Sequence, residues 1–216
     1  MIPFRSDDEV RGAIPDVVVH LVRHGLIAYP TETVYGFGST ASTASVAKLA
    51  ALKGRDPAKP FLLLVSDLGM LQAVGLRLTD TAERLAAAFW PGPLTMVLPG
   101  GEGILPPMLR GPEGGVAVRW TSYAHTAQLI AALGSPITST SANKPRRPPA
   151  LNGSEVAESF REQVEAGELL VLDAGTLRPS QPSTLVDCTG MKPRVIRVGA
   201  IAPDRLRSIV PAIEER

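Results

Sequence analysis

Apolar residues fall in short blocks separated by glycine, proline and small polar residues, the rhythm of a chain that alternates strands and helices. Residues 15–24 open on Pro15, carry Val17, Val18, Leu21 and Val22, and stop before Gly25, which predicts a short helix. The apolar run 26–29 predicts a strand ended by Pro30. Residues 31–38 read as a loop whose Gly36 and Gly38 let backbone approach a ligand. Helical spacing returns at 43–52, near 67–74, at 79–89 with Thr79 or Asp80 as its cap, and at 123–133, 154–166 and 203–210. Strands are predicted at 61–65, 94–98, 116–120, 136–140, 169–173, 183–187 and 195–198.

The first strands are separated by helices, which favours parallel neighbours. The last three runs have only short connections, which favours antiparallel ones. The sheet is therefore expected to be mixed, in an α/β fold. Residues 99–115, rich in glycine and proline, form a long loop, and Trp90-Pro91-Gly92-Pro93 forms a turn. No internal repeat or clear linker divides the 216 residues, so one domain is expected.

Charge changes this picture in one place. The chain carries 22 basic and 21 acidic residues, a net charge of +1, so no general basic field for nucleic acid exists. Against that neutral background Lys53, Arg55 and Lys59 cluster at the mouth of the strand 61–65, just past a helix C-terminus. Such a knot suits an anion, and a solvated loop whose cations cap the helix explains it equally well. The single Cys188 excludes a disulfide framework, and no Cys/His spacing fits zinc. The N-terminus lacks the apolar core of a signal peptide and no apolar stretch is long enough for a bilayer, so a soluble cytoplasmic protein without membrane contact is expected.

Other candidate residues follow from chemistry. Ser141 and Asn143 stand two apart after a strand, placed to orient phosphate or sugar oxygens or simply to make a turn. Thr31, Glu32, Thr33 and Tyr35 gather hydrogen-bonding groups in one loop, which suits a small polar substrate or a self-bonded turn. Arg119, in the strand 116–120, faces either solvent or a site at the strand end, where its planar fork would grip a carboxylate; Arg197 poses the same choice. His20, His24 and His125 are too scattered for a triad or metal site, and neither a dinucleotide fingerprint nor a GxxxxGK[ST] loop is present.

Seven stretches, in order, carry a resemblance. They are residues 29–38 (Tyr29 to Gly38), Lys53-Gly54-Arg55, Phe89-Trp90-Pro91-Gly92-Pro93-Leu94-Thr95, Val116-Ala117-Val118-Arg119, Ser141-Ala142-Asn143, Pro182-Ser183-Thr184 and Arg197-Val198-Gly199-Ala200-Ile201. Together they make the chain similar to the YrdC family of L-threonylcarbamoyladenylate synthases. The resemblance implies a twisted, open mixed sheet with flanking helices and a concave, positively charged cavity. It also implies a nucleotidyl transfer in which L-threonine, bicarbonate and ATP give threonylcarbamoyl-AMP and pyrophosphate. Downstream threonylcarbamoyl-transferase proteins would use the product to modify tRNA, with a direct tRNA contact left open.

By position in the family motifs, Lys53, Arg55, Ser141 and Asn143 would surround the nucleotide phosphates, with Ser141 and Asn143 on the wall facing Lys53. Lys59 and Arg197 would add nucleotide contacts. Thr33, Arg119, Ser139 and Ser183 would contact threonine, Arg119 holding its carboxylate. Lys53, Arg55 and a Mg²⁺ ion are expected to supply most of the catalytic effect by neutralising charge. Three features depart from the pattern: Asp56 precedes Pro57, Leu64 stands where longer members carry a histidine, and residues 144–149 are unusually basic and proline-rich. The chain resembles the short, single-domain form. A non-catalytic nucleotide- or RNA-binding module of the same fold is the alternative reading.

Overall fold

The computed structural model describes residues 1–54 and 59–215. Arg55 and Asp56 therefore lie outside the described residues. In chain order the elements are β1 (Ile2–Pro3), α1 (Asp7–Val22), β2 (Leu26–Tyr29), β3 (Gly36–Gly38), α2 (Thr43–Lys53), β4 (Leu62–Val65), α3 (Gly69–Ala73), α4 (Asp80–Phe89) and β5 (Leu94–Leu98). They continue with β6 (Val116–Trp120), α5 (Ala124–Leu133), β7 (Ile137–Ser141), α6 (Gly153–Ser159), α7 (Arg161–Glu165), β8 (Leu169–Asp173), β9 (Thr184–Asp187), β10 (Arg194–Arg197), α8 (Pro203–Ile209) and β11 (Glu214–Glu215).

The described strands join in one mixed sheet of order β1-β8-β2-β3-β7-β4-β6-β5-β9-β10-β11. Helix-separated strands do pair in parallel at β4–β6 and β2–β8, while β9–β10 is antiparallel. The short link from β8 to β9 does not make them neighbours, because β8 inserts between β1 and β2 and β9 lies beside β5. The connecting residues 174–182 instead run across the sheet. Along the way the Tyr35 hydroxyl donates to the Gly175 carbonyl (3.0 Å) and accepts from the Ala174 amide (2.8 Å).

Several predicted boundaries shift for identifiable reasons. The first helix begins at Asp7, not at Pro15, because Ser6 accepts from the Glu9 amide while the Glu9 carboxylate accepts from the Ser6 amide. This reciprocal capping box nucleates the helix one long stretch earlier, and Pro15 is absorbed inside it. The stop is His24, which takes the left-handed backbone (φ 63°) expected of the glycine beside it. The predicted loop 31–38 ends in a strand, β3, paired to both β2 and β7. The predicted helix 154–166 breaks at Phe160, whose ring packs edge-on against Phe37 at 4.8 Å between centroids.

Glycines make the sheet's middle unusually thin. A Cβ on Gly38 would sit 2.7 Å from Cε1 of Tyr29 and 2.8 Å from the Thr138 carbonyl oxygen. The buried Tyr29 ring thus lies across β3, where any side chain would displace it.

Strand register decides which residues share a face. Tyr29 stands opposite Gly36, Gly36 opposite Ser141, Ser139 opposite Leu62, and Leu64 opposite both Ile137 and Arg119. The same face continues through Ala117 and Val97 to Leu185. Between Val195 and Arg197 a bulge shifts the register, so that Arg197, not Ile196, stands opposite Leu185. The extra residue re-aims a charged side chain onto the face that carries Arg119.

Candidate functional site

Arg119 is buried, only 4 % exposed, in the middle of this face. A guanidinium so enclosed ordinarily has close partners, and here the partners are distant. Its Nη1 lies 3.5 Å from the Thr33 hydroxyl and 3.5 Å from Oε1 of Glu32, and its Nε has no hydrogen-bond partner. Glu32 is itself anchored elsewhere, since its Oε2 accepts from the Thr121 hydroxyl at 2.7 Å. The fork of Arg119 is consequently positioned and largely unspent.

Around it stand hydroxyls. Thr33 is tied to Thr31 (2.9 Å between hydroxyls), and its carbonyl accepts from Ser180 at 2.8 Å, which pins residues 174–182 over the loop. Ser183 is buried and pairs with Thr95 at 2.8 Å. Arg197 donates to the Ser183 carbonyl (2.9 Å) and hydroxyl (3.2 Å). Its guanidinium is held below its ordinary pKa, first by burial and then by the charge of Arg119. Arg197 is exposed, unlike Arg119, yet stands near enough to feel its charge. Beneath them burial pushes the Tyr29 phenol up, an effect opposed by a hydrogen bond with Ser139 and by the charge of Arg119.

Lys53 ends α2, which Gly54 closes in the left-handed conformation (φ 52°). It is buried rather than solvated. Its Nζ donates to the Ser141 carbonyl (2.9 Å), the Asn143 carbonyl (2.6 Å) and Asn143 Oδ1 (2.9 Å). Lys53 does not face Ser141 and Asn143 across a gap; it is bonded to them. Asn143 Oδ1 also accepts from the Ser141 hydroxyl at 2.6 Å, while Nδ2 donates to the Lys144 (3.1 Å) and Arg147 (2.6 Å) carbonyls. All four hydrogen-bonding positions of the amide are used. The lysine and the asparagine are thus the hub that shapes the basic turn 144–147, with Arg146 in the left-handed region (φ 62°).

Lys59 stands apart from this hub. It is exposed at the rim of a cavity of about 500 Å³ that also includes Val97, Ala117, Leu185, Ile196 and Arg194. This cavity lies on the face of the sheet that carries Arg119, toward β9 and β10. The histidines take structural partners: His20 Nε2 meets the Leu26 carbonyl (2.9 Å), His24 Nδ1 the Ser45 hydroxyl (2.9 Å), and His125 Nε2 Asp7 (3.2 Å). Among the described residues no group of three His, Cys, Asp or Glu side chains could hold a metal ion.

Sequence reasoning singled out Arg119, Thr33, Ser139, Ser183 and Arg197 but gave no role to Thr95 or Thr121. Thr95 pairs with Ser183 across 88 positions of sequence, which no local pattern reveals. Glu32 was singled out as one member of the polar loop 31–35, with no sign of its contact with Arg119.

Residues 20–199 match the family model of the Sua5, YciO and YrdC proteins, described as "Telomere recombination". The chain belongs to this family. It is 32 % identical over 199 residues to the threonylcarbamoyl-AMP synthase of Pyrococcus abyssi, covering 91 % of this chain and 57 % of that protein. It is 38 % identical over 180 residues to the enzyme of the same name from Chromohalobacter salexigens, covering 83 % of this chain and 94 % of that one. The chain therefore spans little more than half of the first relative and nearly all of the second. Among solved structures, P. abyssi Sua5 complexed with L-threonine superposes with a TM-score of 0.88 at 29 % identity, over all of this chain and 62 % of that one. Escherichia coli YciO shares the fold, with a TM-score of 0.80 at 24 % identity over 93 % of this chain and 95 % of its own.

Proposed function

We propose that this protein is a threonylcarbamoyl-AMP synthase, a nucleotidyltransferase acting on L-threonine, bicarbonate and ATP in the cytoplasm. The observation that carries the reading is Arg119: a buried guanidinium with an unpartnered Nε, beside the hydroxyl of Thr33, fits the carboxylate of a small hydroxy amino acid. A relative of the same fold has been solved with L-threonine.

In the proposed reaction the threonine amine and bicarbonate give a carbamate and water. A carbamate oxygen then forms a bond to the α-phosphorus of ATP as the bond to the pyrophosphate oxygen breaks. Such an in-line displacement calls for alignment and charge neutralisation more than for covalent help. Arg119 would hold the threonine carboxylate, with Thr33, Ser139 and Ser183 shaping its surroundings. Lys53, Arg55 and Ser141 would serve the phosphates, and Lys59 and Arg197 the rest of the nucleotide. Because the ammonium of Lys53 is committed to three acceptors, its part is to fix the turn and lend charge. With no cage of carboxylates among the described residues, Mg²⁺ would enter as the counter-ion of the ATP phosphates. The product would pass to a threonylcarbamoyl-transferase that modifies tRNA. No helix among the described residues is long and apolar enough to cross a membrane.

The test is release of pyrophosphate together with an AMP-containing product, with ATP, threonine and bicarbonate each omitted in turn. Dependence on all three supports the reading. Turnover that ignores threonine, or RNA binding without ATP consumption, overturns it.

A further inference from the structure

Glu32 is the only carboxylate in ion-pair contact with Arg119 among the described residues, and the contact is of an unusual kind. Arg119 is buried and Glu32 largely so, with side chains 5 % and 14 % exposed, yet the closest approach is 3.5 Å. Buried arginine and carboxylate normally close to a two-pronged pair at hydrogen-bond distance. Here Thr121 prevents that by taking Oε2 at 2.7 Å, and Thr121 is itself fixed by the Tyr123 amide donating to its hydroxyl at 3.2 Å. Oε1 of Glu32 and Nε of Arg119 are left buried without hydrogen-bond partners.

The consequence is a pocket with fixed charge and uncommitted donors. A tight Glu32–Arg119 pair would consume the fork. With no carboxylate at all, Arg119 and Arg197 would stand together uncompensated, an arrangement that attracts any anion. Glu32 leaves the pocket with a net charge near +1. A carboxylate bound on Arg119 feels repulsion from Glu32 at short range, and that repulsion is offset only if the same ligand carries a positive group close to its carboxylate. An α-amino acid does; a deaminated analogue, sulfate or phosphate does not.

We propose that Glu32 sets the charge selectivity of the pocket, admitting a zwitterionic α-amino acid and turning away simple carboxylates and dianions of similar size. The inference rests on the proposed threonine site. It makes Glu32 a specificity-determining residue that acts through Arg119 and the fixed field, without taking part in bond making.

The experiment is calorimetric titration of the wild-type protein, Glu32→Gln and Thr121→Val with L-threonine and with 3-hydroxybutyrate, its deaminated analogue. Glu32→Gln keeps the acceptor for Thr121 and removes the charge. The ratio of the two dissociation constants should move toward 3-hydroxybutyrate by about tenfold or more, as expected for one charge removed at close range in a partly buried site. Thr121→Val frees Glu32 to close on Arg119, so both ligands should weaken, 3-hydroxybutyrate more. The second variant carries the test if the first fails to fold. A general structural role would weaken both ligands in proportion and leave the ratio alone. Wild-type protein that binds threonine, with a ratio unchanged within about twofold in Glu32→Gln or moved the same way in both variants, overturns this inference alone. Wild-type protein that binds no threonine overturns the function reading and this inference with it.

Discussion

Replacing Lys53 by methionine keeps the length of the stem and removes the ammonium that ties α2 to the end of β7. Three acceptors lose their donor, at 2.9, 2.6 and 2.9 Å. Hydrogen bonds to charged groups contribute about 1.5–3 kcal/mol each, but removing the lysine also ends the cost of burying it. Asn143 Oδ1 retains the Ser141 hydroxyl, and the two carbonyls can reach water if the turn opens. A net loss of about 3 kcal/mol follows, corresponding to a fall in Tm of about 6–12 °C for a chain of this size. Thermal unfolding followed by circular dichroism measures it. In a double-mutant cycle with Asn143→Ala, the coupling should be about 1–2 kcal/mol, since the two residues share one network. Turnover should fall by about 10²-fold or more in the same variant. A Lys53→Met protein that melts with the wild type, with no coupling to Asn143→Ala, would refute the hub.

Arg119→Lys should raise the KM for threonine by about tenfold or more with little change in Tm, because a point charge cannot reproduce the fork; steady-state kinetics would show it. Gly38→Ala should destabilise by about 1–3 kcal/mol, read by denaturant unfolding, since a Cβ 2.8 Å from the Thr138 carbonyl forces backbone to move. Burial pushes the Cys188 thiol up to about 12, so a thiolate-seeking reagent at pH 8 should label it only at the rate of unfolding. Hydrogen bonds from the Arg5 and Ser6 amides hold Glu9 below its ordinary pKa of 4.5. Its folded pKa being the lower one, this contribution is present above the unfolded value and is lost as pH falls through the folded value. Glu9→Gln should therefore flatten the acid limb of stability against pH, and an unchanged limb would contradict the capping role.

Strand positions were legible because apolar runs bounded by glycine and proline are local signals. What decides the neighbours of a strand is not local. Nothing near residue 169 shows that β8 will pair with β2 at residue 26, and the short link to β9 pointed to the wrong neighbour. The start of the first helix was legible in principle, since Ser6-x-x-Glu9 is a capping box, but Pro15 offered a competing start and obscured it. In the site, residue chemistry marked Arg119 and Arg197 while leaving their orientation open. Strand register settles the first and the bulge after Val195 the second. Lys53 read either as a cation for an anion or as a solvated helix cap, because nothing in the sequence shows that Ser141 and Asn143, 88 and 90 residues away, will claim its donors.

The order of strands bears on how the protein emerges from the ribosome. When the first hundred residues have been made, β2 has β3 but lacks β8, and β3 lacks the β7 that carries Ser139 and Ser141. The Thr33 loop cannot receive its Ser180 pin, nor β5 its partner β9, until residues 180–187 have been made. Unpaired strand edges and apolar faces therefore stay exposed until those residues emerge, the period in which chaperones have most to do. The loop that carries Thr33 and the strand that carries Thr95 are thus completed by Ser180 and Ser183, 147 and 88 positions downstream, and neither takes its final place before β9 has been made.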